Sequence, residues 1–200
     1  MRKAKWLLFA LALGLLSVGC AKLNYEEIAP NAAAFKPRAV VILPVKMPEG
    51  MDLESETASN VITDALNKIN HFGRVIDPAT VRAQMAANKA LQDTIINYLA
   101  KLRMLGVSEK ELSKKIGAAY HADTLIIVDI GRWGTMRWGG KGYAEVSFSI
   151  KMVDSATGTI IWKAGHADQR DYLLFKPNIA DMGRDLALYI FEHNPTRPQK

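Results

Sequence analysis

The sequence predicts an α/β domain of three layers: a mixed, roughly five-stranded sheet with helices on both faces, in the order β-α-β-α-α-β-β-β-α. Three observations predict it. Arg38-Ala-Val-Val-Ile-Leu-Pro-Val45 and Thr124-Leu-Ile-Ile-Val-Asp-Ile130 are dominated by β-branched and apolar residues, as strands buried on both faces are. The stretches between and after them repeat apolar residues at helical spacing. From Glu145 to Met152 polar and apolar residues alternate, and a turn follows, which is the pattern of a hairpin with one wet face.

Each element has its own local signal. Pro44 ends the first strand, and Pro48-Glu-Gly50 turns the chain. Ala58, Val61, Ile62, Ala65, Leu66 and Ile69 then line one face of a helix over Leu53–Asn70. Phe72–Ile76 reads as a short strand, closed by Asp77-Pro78 as N-cap and first helical residue. One helix runs on from Val81 and Met85 through Leu91, Ile95, Tyr98, Leu99, Leu102 and Leu105, and Gly106 stops it. Ser108-Glu-Lys-Glu111 is a capping box for the next helix, which carries Leu112, Ile116, Ala119 and Tyr120 on one face. Gly131 to Gly142 reads as a connection. Asp154-Ser-Ala-Thr-Gly158 turns the hairpin, and Thr159–Gly165 is its returning strand. After Lys176-Pro177 a last helix turns Ile179, Met182, Leu186 and Ile190 inward and stops at Asn194-Pro195.

Residues 1–19 stand apart. Arg2, Lys3 and Lys5 precede the apolar run Trp6–Leu16, and small residues lead to Cys20, the pattern of a cleaved signal peptide. The uncharged stretch from Trp6 to Ala21 spans 16 residues. A permanent membrane helix needs about 20. Residues 20–37 then read as a cysteine and tether, 38–195 as a single α/β periplasmic domain, and 196–200 as a loose tail. The tether, fully extended, reaches at most roughly 50 Å. Removing the signal lowers the net charge from +6 to +3, a mild bias that gives no case for a nucleic-acid partner. With one cysteine there is no internal disulfide in a protein of the envelope.

Leu16-Ser17-Val18-Gly19-Cys20 resembles the lipobox of bacterial lipoprotein signal peptides, with Gly19 and Cys20 in place and the leucine one position early. The resemblance implies lipidation of Cys20: a diacylglyceryl thioether and a palmitate-type acyl chain on the new amino terminus. Such chains, at about 0.8 kcal/mol per buried CH₂, make a durable membrane anchor. Ala21 follows where inner-membrane lipoproteins commonly carry Asp, which implies the periplasmic face of the outer membrane. Within the domain, Val40-Val-Ile-Leu-Pro44, Gly117-Ala-Ala-Tyr-His-Ala-Asp-Thr-Leu-Ile-Ile127 and Val153-Asp-Ser-Ala-Thr-Gly-Thr-Ile-Ile-Trp162 resemble a recurring envelope pattern. It is that of the curli secretion channel CsgG, the TolB N-terminal domain, the activator lipoproteins of penicillin-binding proteins, and a set of uncharacterised bacterial lipoproteins. The resemblance implies a binding or assembly module, not an enzyme, with an envelope protein or a second copy of itself as partner.

Candidate chemistry is sparse. His71, His121, His166 and His193 lie far apart, without metal-ligand spacing, and no cofactor motif is present. Gly139-Gly140-Lys141-Gly142 lacks the ending of a phosphate loop. Asp129 marks the end of a buried run and is expected to emerge or to meet Arg132. His166 and Asp168 share a face if their strand continues, which is the basis for a third-ranked reading as an envelope hydrolase. The segment of greatest interest carries Arg132, Trp133, Arg137, Trp138, Lys141 and Tyr143 on glycine-rich chain. Trp and Arg are enriched at interface hot spots, so these six residues are the candidate partner-binding loop, unless the tryptophans fold back on the sheet. The leading functional reading is a non-enzymatic binding or assembly module in envelope biogenesis or transport. The alternative is a peptidoglycan-binding activator of cell-wall synthesis.

Overall fold

Ala39–Ile42, the first expected strand, is buried almost completely, with Val40, Val41 and Ile42 at 0% exposure. In the computed structural model, which describes residues 22–138 and 140–197, it is β2 of a six-stranded sheet. The strands are β1 (Tyr25–Ile28), β2, β3 (Arg74–Ile76), β4 (Thr124–Trp138), β5 (Lys141–Asp154) and β6 (Ile160–Tyr172). They lie in the order β1-β6-β5-β4-β2-β3. β2 pairs parallel with β3 and β4, while β4, β5, β6 and β1 pair antiparallel in succession. The helices are α1 (Ser55–Ile69), α2 (Pro78–Ala87), α3 (Lys89–Leu105), α4 (Lys110–Tyr120) and α5 (Ile179–Glu192).

The mixed sheet with helices on both faces is as expected. On one face α1 and α5 bury Val61, Ile62, Leu66, Met182, Leu186 and Phe191 against Ile126, Val128, Phe148, Ile150 and Trp162. On the other, α2, α3 and α4 bury Val81, Ile95, Tyr98, Leu102 and Ile116 against Val41, Leu43, Leu125 and Ile127. This second layer draws on β2 and β4, with Val153 alone from β5, so the polar row of β5 is left without a helix over it.

Local details differ from expectation. The supposed tether contains β1, because Leu23 packs on the core and Tyr25 lies over Gly165, where a Cβ would come within 2.1 Å of its ring. Trp162 Nε1 donates to Glu26 at 2.8 Å, Lys163 pairs with Glu27 at 2.7 Å, and Tyr25 and Ser149 share a hydroxyl bond of 2.6 Å. The long middle helix is two helices. Asn88 takes an extended conformation between them, and its side chain accepts the Leu91 N–H, capping α3. The Ser108 capping box does not form: Ser108 Oγ meets the Tyr98 hydroxyl at 3.0 Å, and α4 starts at Lys110 without a side-chain cap. Finally Thr196, expected in a loose tail, is 2% exposed and bonds Asn194 Oδ1 and His71 Nε2, each at 3.0 Å. The expected signal peptide and Cys20 lie outside the described residues.

Two of the sequence motifs meet in space. Gly117 of α4 sits against the β5–β6 turn so closely that a Cβ there would be 2.4 Å from Ser155 Oγ. Ser155 Oγ donates to Ala122 O at 2.8 Å, and Ser113 Oγ donates to Ser155 O at 3.0 Å. Gly117→Ala therefore destabilises the protein by about 1–3 kcal/mol, read as a lower denaturation midpoint.

Burial pushes the Tyr98 phenol up to about 12. In the unfolded chain it titrates near about 10. The unfolded state gives up this proton first, so the contribution is complete below about pH 10 and is lost as pH rises toward about 12. Tyr98→Phe removes that part of the alkaline loss of stability. A denaturation series across that range, comparing the two proteins, reads the difference in slope.

Candidate functional site

Side chains alternate across a strand, so parity decides what each residue of β4 can do. Ile126, Val128 and Ile130 face α1 and α5, and Leu125 and Ile127 face the other layer. Between Ile130 and Arg132 the pairing with β5 slips, leaving Gly131 as an extra residue. One bulged residue inverts the alternation beyond it. Trp133 is thereby turned into the core, 3% exposed, its ring stacked on Phe148 with centroids 6.0 Å apart and planes at 22°. The far edge of its indole fills the place of a side chain at Gly183 of α5, where a Cβ would come within 2.6 Å of the ring.

The segment expected to be a loop is thus the distal half of a long β-hairpin. Its six candidate residues separate. Trp133 is core. Arg132 stands on the open face beside Glu145, 3.9 Å away. Tyr143 is half-buried, in register with Met136 on one side and Asp171 on the other. Arg137 and Lys141 are exposed at the hairpin end, and Trp138 ends β4 opposite Lys141. Tyr172, where β6 ends, lies over Gly142, with ring atoms 2.4 Å from where a Cβ would be.

Past Tyr172 comes a patch that sequence reasoning missed. Leu173, Leu174 and Phe175 are 71, 87 and 89% exposed. With Lys141, Asp171 and Tyr172 they line an open depression of about 600 Å³. The available signal was three apolar residues in a row, between elements, with no periodic place in either. A second apolar patch lies at the other end of the sheet. Met104, Leu105 and Val107 are 82, 68 and 62% exposed, and Val107 shares a depression with Ile28, itself 52% exposed. Leu105 was expected on the buried face of its helix; the last turn of α3 instead leaves it in solvent.

The charged residues of the open face engage one another. Asp129 does not meet Arg132. It accepts from Arg103 Nε at 2.8 Å and faces Lys151 Nζ at 3.5 Å, which is how its part-buried carboxylate is satisfied. β6 does extend past His166 and Asp168, so they share a face as expected, in a shallow depression with Asp185, Leu186 and Tyr189. Asp168 is engaged by Arg170 at 2.7 Å, which also reaches Asp185 at 3.5 Å. The His166 ring packs on Tyr189 with centroids 4.9 Å apart. No serine, threonine or cysteine lines that depression among the described residues. Among the described residues there is no group of three His, Cys, Asp or Glu that could hold a metal, and no helix long and apolar enough to cross a membrane.

No protein-family model matches the chain, and no curated protein matches it in sequence. Solved structures do. A PelC dodecamer from Paraburkholderia phytofirmans aligns at a TM-score of 0.53 and 14% identity, over 88% of this chain and 97% of that one. The fold is shared. A single-substitution variant of the same dodecamer aligns at 0.55 and 11% identity, over 87% and 98% of the two chains. Lipoprotein GNA1162 from Neisseria meningitidis aligns at 0.49 and 15% identity, over 73% and 92%. At these identities the likeness shows the fold alone.

The seat of Trp133 is testable. Gly183→Val forces the indole from its place, lowering stability by about 1–3 kcal/mol and shifting tryptophan emission to the red. An unchanged spectrum and denaturation midpoint would place the indole elsewhere.

Proposed function

We propose that this protein is a non-enzymatic assembly module of the cell envelope, held at the periplasmic face of the outer membrane by lipid on Cys20, and that copies of it associate. The observation that carries the reading is where the unsatisfied surface lies. Charged side chains on the open sheet face are engaged with one another, whereas Ile28, Met104, Leu105 and Val107 present large apolar groups to solvent around one end of the sheet. Exposed apolar surface of this kind marks a contact with another macromolecule. Catalysis asks for a nucleophile, a base and an orienting group converging on one space, and the His166 depression offers the imidazole with its carboxylate neighbour already engaged by Arg170.

Two further facts support self-association in particular. The chain shares its fold, across nearly the full length of the other, with PelC, which forms a dodecamer. The envelope pattern around Val40–Pro44, Gly117–Ile127 and Val153–Trp162 resembles that of envelope binding or assembly modules. Lipidated protein purified in detergent is expected to run as a multimer by light scattering. Val107→Asp places a charge in the contact and shifts the mass toward one chain without lowering the denaturation midpoint. A wild-type protein that is monomeric at every concentration defeats the self-association reading. Loss of acyl labelling in Cys20→Ala checks the anchor separately.

A further inference from the structure

The direction of β1 bears on where Cys20 can lie. β1 runs antiparallel to β6, with Ile28 opposite Trp162 and Tyr25 opposite Gly165. Going back along β1 toward the amino terminus therefore means travelling alongside β6 toward its end at Tyr172. Leu23, three residues after Cys20, is packed on the core. Only two peptide steps separate Lys22 from Cys20, and they span at most about 7 Å. The anchor is thus tied to the domain itself, with no long tether between them, and on the side of the sheet toward which β6 runs.

That same end carries the apolar run Leu173-Leu174-Phe175, with Met136 49% exposed on the neighbouring hairpin. Around it stand Arg137, Lys141 and Lys176, all exposed and none with an ion-pair partner among the described residues; Asp171 is the acidic residue beside them. Adjacent apolar side chains ringed by unpaired cations match the boundary between acyl chains and anionic headgroups. The opposite end of the sheet, at the Asp154–Gly158 turn, is distant. A 15-residue strand such as β4 spans roughly 50 Å.

We infer that this end of the sheet is a membrane seat: Leu173, Leu174 and Phe175 enter the headgroup layer, and Arg137, Lys141 and Lys176 lie on anionic lipid. The inference rests on Cys20 as anchor and adds the orientation of the domain to it. Acyl chains on Cys20 and the apolar run then hold the bilayer at two nearby points, which makes attachment stable and sets the domain upright.

The test uses the full-length lipidated protein on vesicles of phosphatidylcholine with a minority of phosphatidylglycerol. Lipid occupies the Cys20 sulfur, so Leu174→Cys supplies the one free thiol for an environment-sensitive fluorophore. Ala156→Cys, exposed in the far turn, is the reference. Nitroxide-bearing lipids are expected to quench the probe at 174 several-fold more than the probe at 156. Vesicle-bound protein with equally weak quenching at both sites overturns the seat and leaves the anchor standing. A probe at 174 that is shifted to the blue yet unquenched is shielded by protein, which also overturns it. Protein that stays off the vesicles altogether overturns anchor and seat together.

Discussion

The arrangement depends on a constraint of strand parity, set by one glycine. β4 enters the sheet with its even-numbered residues toward α1 and α5 and leaves it with its odd-numbered residues there, because Gly131 is bulged out of register. Had the alternation run on unbroken, Trp133 would stand on the open face and Arg132 would be driven into the core, at a cost of several kcal/mol for an unpaired buried charge. With the bulge, the indole closes the core beneath Gly183 and the guanidinium lies beside Glu145. The twist that accompanies a bulge belongs to the same device, since a hairpin this long would otherwise carry a flat, exposed extension.

From that hairpin follows the division of the surface into parts of different chemistry. Five helices cover one face of the sheet broadly and the other over β2 and β4. What remains open is polar and closed in on itself: Arg103, Asp129 and Lys151 form one cluster, Glu27 and Lys163 a pair, Tyr25 and Ser149 a hydroxyl contact. Individually such exposed pairs contribute little to stability. Together they leave a face whose charges are matched, so the apolar residues stand out at the two ends of the sheet.

How much of this could be read from the sequence depends on how local the determining interaction is. Strands whose two faces are both buried, such as Val40–Ile42 and Leu125–Val128, announce themselves by composition, and the amphipathic faces of α1 and α5 by spacing. The helical cap at Asp77 was legible too, its carboxyl held below its usual range first of all by the Thr80 N–H. What was illegible depends on partners distant in the chain. β1 has no period because it is exposed along its length at a sheet edge, and its place is set by Gly165 and Trp162, well over a hundred residues on. Ser108 looks like a cap until Tyr98, one helix earlier, takes its hydroxyl. The candidate binding residues stand out in the sequence as a basic and aromatic cluster, but which of them face outward turns on the unpaired Gly131 and could not be told by counting.

The pinning of β1 has a consequence for symmetry. Under the anchor proposed at Cys20, a domain leashed to a bilayer by so short a stretch of chain keeps one end down, and other copies keep the same end down. Two copies related by an axis lying in the membrane plane would carry their lipids on opposite sides, so that relation is closed to them. The operation left is rotation about the membrane normal, which joins like surfaces at 180° and, at smaller angles, unlike surfaces head to tail in a ring that closes when the angle divides the circle. With that proposed anchor, tilt is surrendered to the bilayer before two copies meet, so less orientational freedom remains to be lost on association than for the same domains free in solution.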